Sequence, residues 1–158
     1  MVFKFNFKKF LTSLAIPLLV GGLSALITSG NMDLYSRINE PPFAPPGWLF
    51  PVVWTILYVL MGVSAYLVWN SDAIYYKKQR AFVLFAAQLF LNFIWSPVFF
   101  NMQKFLTALI ILTVLLVSTI LMTVAFYKIS KAAGLLQIPY ILWLAFAWYL
   151  NLAIYIIN

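Results

Sequence analysis

The chain has 158 residues and a mean hydropathy of +1.00, with 65% of its residues hydrophobic and only 8% charged. Charged residues make up roughly 25% of a typical soluble domain. This composition therefore excludes a soluble domain and indicates an integral membrane protein. The chain has no Cys, no His and only three acidic residues. We therefore expect no disulfide, no metal site, no cofactor and none of the usual hydrolytic triads.

Five uncharged apolar segments follow one another, each close to the roughly 20 residues that cross a bilayer. They predict transmembrane helices over about residues 10–28, 48–69, 81–103, 105–127 and 135–157. A basic segment precedes the first, as in a signal peptide, but its apolar part is long and shows no clear cleavage site. The sequence thus predicts an all-α fold, in which residues 1–158 form one integral membrane bundle of five transmembrane helices.

The segment between the first two predicted helices, residues 29–47, is the longest loop. It ends in Pro41-Pro42-Phe43-Ala44-Pro45-Pro46-Gly47, which cannot lie inside a helix because Pro fixes φ and lacks an N–H. Such a stiff segment is interpreted either as a lid over a cavity among the helices or as a rigid connector with interfacial tryptophans. Composition alone favours the connector.

Polar and aromatic side chains recur at helical spacing in the second and third predicted helices. Trp54 and Tyr58 lie one turn apart, just below the loop. Gln88 and Asn92 lie on one face of the third helix, and Trp95 continues that face. The two amides either line a cavity or form hydrogen bonds to neighbouring helices, and the spacing favours neither.

The fifth predicted helix carries Trp143, Ala147 and Leu150 on one face, whereas the fourth is rich in Leu, Ile, Val and Thr and carries no charge. Ala147 beside Trp143 forms a notch that suits a flat apolar molecule, although spacing alone favours ordinary helix packing. A cavity walled by Trp54, Trp95 and Trp143 would suit a large planar aromatic ligand by stacking.

Lys and Arg residues between the helices predict the orientation. Arg37 and Lys104 lie on one side, and eight basic residues lie on the side of the N-terminus: Lys4, Lys8, Lys9, Lys77, Lys78, Arg80, Lys128 and Lys131. The positive-inside rule then predicts a cytoplasmic N-terminus, with the proline loop and the C-terminus outside. The net charge of +7 is attributed to this asymmetry, and no nucleic-acid binding is expected.

Three stretches together resemble the translocator protein family, also called tryptophan-rich sensory proteins or peripheral benzodiazepine receptors. They are Tyr35 and Pro41 to Gly47 followed by Trp54, then Gln88 with Asn92-Phe93-Ile94-Trp95-Ser96-Pro97-Val98-Phe99-Phe100, and then Pro139-Tyr140-Ile141-Leu142-Trp143-Leu144-Ala145-Phe146-Ala147 with Leu150-Asn151. They occur in family order and spacing, and helix and loop counts agree over essentially the whole chain.

The resemblance implies a five-helix bundle, commonly a homodimer in the lipid bilayer, with a pocket below the first loop. It implies a membrane receptor or sensor for porphyrins such as protoporphyrin IX and related planar apolar ligands. There are two alternatives. One is an enzyme-like breakdown of protoporphyrin that needs light and oxygen, with Trp54 and Trp143 as catalytic residues, and the other is small-molecule transport. The predicted ligand-binding residues are Tyr35, Pro45, Trp54, Tyr58, Gln88, Asn92, Trp95, Trp143, Phe146, Ala147 and Leu150.

The chain departs from the family pattern mainly in the loop. Leu34 and Phe43 stand where Trp is common, and Glu40 replaces a basic residue, so we expect altered loop contacts. No basic residue follows Tyr155, so the sterol motif of animal members is missing and weak or absent sterol binding is expected. The composition suggests a bacterial member in the cytoplasmic membrane; a eukaryotic one would lie in the mitochondrial outer membrane.

Overall fold

The computed structural model describes residues 5–31 and 33–158, apart from the side chain of Tyr35. Its helices are α1 (Phe7–Thr28), α2 (Leu34–Arg37), α3 (Leu49–Trp69), α4 (Tyr75–Phe100), α5 (Phe105–Ile129), α6 (Lys131–Leu135) and α7 (Ile138–Ile157), and a 3-10 turn covers Ser29–Asn31. Five helical segments are long and apolar enough to cross a membrane. No strand occurs within the described ranges, so the predicted all-α membrane bundle is confirmed.

The five long helices follow one another around the bundle in the order α1, α3, α7, α5, α4. Backbones approach closely between α1 and α3, between α4 and α5, and between α5 and α7. The pair α3 and α7 is different, because aromatic side chains fill the space between them. The ring centroids of Phe50 and Trp143 are 5.9 Å apart, and those of Trp54 and Trp143 are 6.5 Å apart.

Helix α1 has the inverse of a soluble helix's amphipathic pattern. Its buried residues are small or polar, namely Ser13, Pro17, Ser24 and Thr28. Its exposed residues are large and aliphatic, among them Leu11, Ile16, Leu19, Leu23, Leu26 and Ile27. Small residues let membrane helices approach closely, while aliphatic side chains are at no disadvantage against lipid tails. The outer face of α1 is therefore suited to lipid rather than to water.

Two glycines let helices α1 and α3 come together. A Cβ at Gly62 would lie 2.8 Å from the Cα of Leu14 and 2.8 Å from the carbonyl oxygen of Ser13. That carbonyl receives no helical hydrogen bond from residue 17, because Pro17 lacks an N–H. In the same interface, Gly21 leaves room for the ring of Tyr58.

Helix boundaries differ from the predicted ones where polar residues extend a helix or a turn interrupts it. The third long helix begins at Tyr75 rather than at residue 81. The polar and charged residues between Tyr75 and residue 81 form its first turns and are largely exposed. It ends at Phe100 rather than residue 103, since Gln103 adopts a left-handed φ of 51°. The predicted final helix, 135–157, begins later, as α7 at Ile138, and residues 131–135 before it form the separate short helix α6. The Ser130 hydroxyl caps α6 by accepting a 3.3 Å bond from the Ala133 N–H.

Substituting Gly62 tests the close approach of α1 and α3. Gly62→Ala should lower the free energy of unfolding by about 1–3 kcal/mol, because the added methyl group meets backbone atoms that cannot rotate away. Thermal unfolding in detergent micelles measures the effect. Gly22→Ala is the matched control, since a Cβ there meets nothing within 4 Å; equal melting temperatures for the two variants would contradict the packing described here.

Candidate ligand-binding site

Aromatic side chains from α3, α4 and α7 converge beneath the loop between α1 and α3. The ring of Trp54 on α3 is central to this cluster. Its centroid lies 5.7 Å from Tyr58 in a stacked arrangement, 6.3 Å from Trp95 on α4 and 6.5 Å from Trp143 on α7, at 90° to the latter. Offset and perpendicular contacts of this kind are the preferred geometries of aromatic pairs.

A small cavity lies within this cluster. Its lining residues are Phe50, Trp54, Trp95, Phe99, Trp143, Ala147, Leu150 and Asn151, none of which is charged, and its volume is about 10 Å³. That is room for about one water molecule, whereas sites for drug-sized ligands enclose about 300–1,000 Å³. The aromatic rings therefore close the cavity in this structure, and a large ligand would have to displace them.

A chain of buried hydrogen bonds forms the floor below the cavity. The Tyr58 hydroxyl donates to Asn92 Oδ1 at 2.7 Å, Asn92 Nδ2 donates to the Tyr140 hydroxyl at 2.9 Å, and that hydroxyl donates to Gln88 Oε1 at 2.9 Å. All four side chains are buried. Of the two interpretations of the amides of Gln88 and Asn92, the structure shows the one in which they link neighbouring helices.

The indole N–H groups of two cavity tryptophans differ in their partners. Trp95 Nε1 donates to Asn151 Oδ1 at 3.2 Å, and Asn151 Nδ2 donates to the Phe105 carbonyl at 2.9 Å, which fixes the α4 wall. Trp143 Nε1 is buried and has no hydrogen-bond partner among the described residues. The α7 wall thus presents an unused donor beside the cavity.

The loop above the cavity is held by contacts with the end of α7. The Tyr149 hydroxyl donates to the Pro42 carbonyl at 3.1 Å, and the Asn39 N–H donates to Asn158 Oδ1 at 3.0 Å. Leu34, which departs from the family pattern, is only 1% exposed and belongs to the hydrophobic core. The loop is therefore anchored on its α2 side by an apolar contact and on its proline side by hydrogen bonds.

The predicted site residues separate into groups. The cavity is lined by Trp54, Trp95, Trp143, Ala147 and Leu150, while the hydrogen-bonded floor contains Tyr58, Gln88 and Asn92. Phe146 packs on Trp143, with centroids 5.7 Å apart, but does not line the cavity. Pro45 is half-buried in the loop and away from the lining, and the side chain of Tyr35 lies outside the described residues. Ligand binding by any of them stays a prediction.

Some residues of the site were not among those predicted. Phe50 lines the cavity and precedes Trp54 by four residues, so helical spacing could have revealed it. Tyr140 lies three residues before Trp143 on the same face, and its hydroxyl completes the floor. Asn151 follows the predicted residue Leu150 and also lines the cavity, as does Phe99, which the four-residue spacing from Trp95 places on the same helix face.

Comparisons with known proteins agree on one family. The sequence profile described as the TspO/MBR family matches residues 13–156. The tryptophan-rich protein TspO of Archaeoglobus fulgidus is 37% identical over 97% of this chain and 99% of its own length. The protein of the same name from Chlorobaculum tepidum is 42% identical over 78% of each chain. The human translocator protein is 35% identical over 84% of this chain and 79% of its own length.

Removing one hydroxyl tests the floor. Tyr140→Phe should lower the free energy of unfolding by about 1–3 kcal/mol, because it leaves Asn92 Nδ2 and Gln88 Oε1 buried without their partner. The midpoint of thermal unfolding in micelles measures this loss of stability. Tyr155→Phe removes the same group from a side chain that is 44% exposed, and a Tyr140→Phe variant as stable as this control would rule out a structural role for the hydrogen bonds.

Proposed function

The chain belongs to the TspO/MBR family of membrane proteins, and we propose that it is a receptor for porphyrins such as protoporphyrin IX and for related planar apolar molecules. The main support for this proposal is the cavity to which Trp54, Trp95 and Trp143 contribute from three different helices. Aromatic faces stack on a planar ring system, and apolar walls with a few placed polar groups are the usual construction of a ligand site.

The unused indole N–H of Trp143 supports this proposal. A buried donor without a partner is unfavourable by about 1–3 kcal/mol, and a ligand acceptor in the cavity would supply the missing hydrogen bond. Carboxylate or carbonyl oxygens at the edge of a planar ligand have this property. The donor would orient the ligand, while stacking on the neighbouring rings would provide most of the contact area.

Ligand entry requires the space between α3 and α7 to widen. These helices meet mainly through the rings of Phe50, Trp54 and Trp143, and rings can change rotamer without breaking backbone hydrogen bonds. The loop must also move, and its contacts with α7 are hydrogen bonds at exposed positions such as that between Tyr149 and Pro42. The hydrogen-bonded floor lies on the far side of Trp54 from the loop, so it need not change.

The orientation that we propose has the loop and this cavity on the outer side of the cytoplasmic membrane. The helix ends that carry Lys9, Lys78 and Lys128 lie together at the opposite end of the bundle. Positive charge is retained on the cytoplasmic side during insertion. A ligand would therefore reach the site from the outer leaflet or the external solution.

Breakdown of bound porphyrin under light, with dioxygen as the co-reactant, is a second candidate. One observation favours it, because Trp54 and Trp143 are in mutual contact and both face the cavity. A ligand between them would have two oxidisable indoles within reach of its excited state. Ion-coupled transport ranks lower, since no lining residue is ionisable.

Filling the notch at Ala147 tests the site. Ala147 is 6% exposed and lines the cavity, so Ala147→Phe should weaken protoporphyrin IX binding by at least about tenfold, as the added ring takes the space that the ligand needs. Saturable quenching of tryptophan fluorescence in the dark, in detergent, gives the dissociation constant. The exposed neighbour Ala145, which does not line the cavity, provides the matched variant Ala145→Phe.

Binding by Ala147→Phe as tight as that of wild type would show that porphyrin binds elsewhere. Thermal unfolding of both variants separates loss of the site from loss of the fold, because only a folded Ala147→Phe protein with weakened binding supports the proposal. An absence of saturable quenching in wild type would contradict porphyrin binding itself.

The light-dependent candidate requires its own variants. Replacing both Trp54 and Trp143 with Phe should abolish the loss of the porphyrin absorption band under illumination in air. Binding, followed by the shift of that band at saturating porphyrin, should persist at lower affinity, because phenyl rings keep the stacking surface whereas the indole N–H of Trp143 is lost. Trp48 and Trp148, which do not line the cavity, supply the control pair Trp48→Phe and Trp148→Phe. Equal decay in the two double variants would exclude a role for the cavity indoles.

A further inference from the structure

We propose that a second site, a groove between α1, α3 and α4, binds an anionic phospholipid through its phosphate group and one acyl chain. The groove lies at the opposite end of the bundle from the aromatic cavity, and the proposal does not depend on porphyrin binding. Its volume is about 700 Å³, and it is lined by Lys9, Ser13, Ile16, Ala65, Trp69, Tyr75, Lys78, Gln79, Phe82, Val83, Phe85, Ala86 and Leu89.

The shape and surface of the groove suit an acyl chain. Its floor consists of buried residues of three helices, including Ala65, Phe85 and Leu89. Its rim includes Ile16 and Val83, which are 45% and 63% exposed. The groove is therefore an apolar channel along the outside of the bundle, open towards the surrounding lipid, and it is already empty enough to accept a chain without rearrangement.

Two lysines at one end of the groove provide charge complementarity to a phosphate. Lys9 and Lys78 are half-buried and line the groove. Lys78 Nζ donates to the Ser71 carbonyl at 2.6 Å, which holds the amine at this end, and Lys9 Nζ lies 5.9 Å from the centroid of the Trp69 ring. Within the described ranges the ion pair is that between Arg37 and Asp33, so neither lysine amine has a carboxylate within 4 Å.

Ser13 supplies a polar group one turn further along the groove. Its hydroxyl is buried, with 3% of the residue exposed, and has no hydrogen-bond partner among the described residues. Ser13 follows Lys9 by four residues, so it lies about 6 Å further along the same face of α1. In a phospholipid the ester groups follow the phosphate towards the chains, and a change of rotamer at Ser13 would turn its hydroxyl towards an ester oxygen.

These features favour a phospholipid over a second copy of this chain. The chain carries a net charge of +7, and a symmetric pair meeting through this groove would bring Lys9 and Lys78 of both copies towards one another. An anionic lipid instead satisfies the charges, the unpaired hydroxyl and the apolar channel together. Basic recesses between membrane helices are known to bind anionic headgroups.

The test is native mass spectrometry of the full chain released from micelles containing equal amounts of dioleoyl phosphatidylglycerol and dioleoyl phosphatidylcholine. Wild type should retain one phosphatidylglycerol per chain with a preference of at least about tenfold, because each lysine near a phosphate contributes to affinity. The variant Lys9→Gln, Lys78→Gln should reduce that preference to about twofold or less. The control variant Lys128→Gln, Lys131→Gln removes the same amount of charge at the same end of the bundle but outside the groove. It should keep the preference of the wild type for phosphatidylglycerol.

A second pair of variants tests the channel. Ala86→Trp should block the acyl chain and lower retention of both lipids at least about fivefold, whereas Ala87→Trp, on the adjacent exposed residue outside the groove, should not. Equal retention of the two lipids by wild type would overturn the proposal. So would equal losses in the two lysine pairs, which would indicate general surface attraction, or a change in oligomeric mass without a change in bound lipid, which would indicate a contact between chains.

Discussion

The structure depends on the buried hydrogen bonds that join Tyr58, Asn92, Tyr140 and Gln88 across α3, α4 and α7. In the apolar interior of a membrane protein a polar side chain without a partner is strongly disfavoured, and water is not available to replace one. The hydrogen bonds therefore select one rotation and one height of each helix relative to the other two. Apolar contacts alone would leave these settings less well determined.

That selection brings the three cavity tryptophans together. Trp54 lies four residues from Tyr58, Trp95 three from Asn92, and Trp143 three from Tyr140, so each tryptophan is one turn from a member of the hydrogen-bonded floor. Helix α3 runs away from the loop, whereas α4 and α7 run towards it. One turn before Tyr58 on α3 and one turn after Asn92 on α4 or Tyr140 on α7 therefore lie at the same level of the bundle, nearer to the loop. The aromatic cavity is a geometric consequence of the floor beneath it.

The sequence predicted what depends on one helix at a time. Length and hydropathy indicated the five spans, and spacing indicated the faces of Asn92 with Trp95 and of Trp143 with Ala147. It did not decide whether Gln88 and Asn92 line a cavity or bond between helices, because that depends on Tyr58 and Tyr140 from other segments. Nor could it indicate that the cavity is closed, since this depends on the rotamers of facing rings.

The cavity and its floor differ in how readily they can change. In the floor every hydroxyl and amide named above has a partner, so displacement would expose several polar groups at once. The cavity walls are held by ring contacts, which together are substantial but individually weak. The indole N–H of Trp143 has no described partner to lose, unlike that of Trp95. Movement to admit the proposed ligand would therefore be easiest on the α7 wall at Trp143, where the ring contacts could be exchanged for stacking and the donor would gain an acceptor.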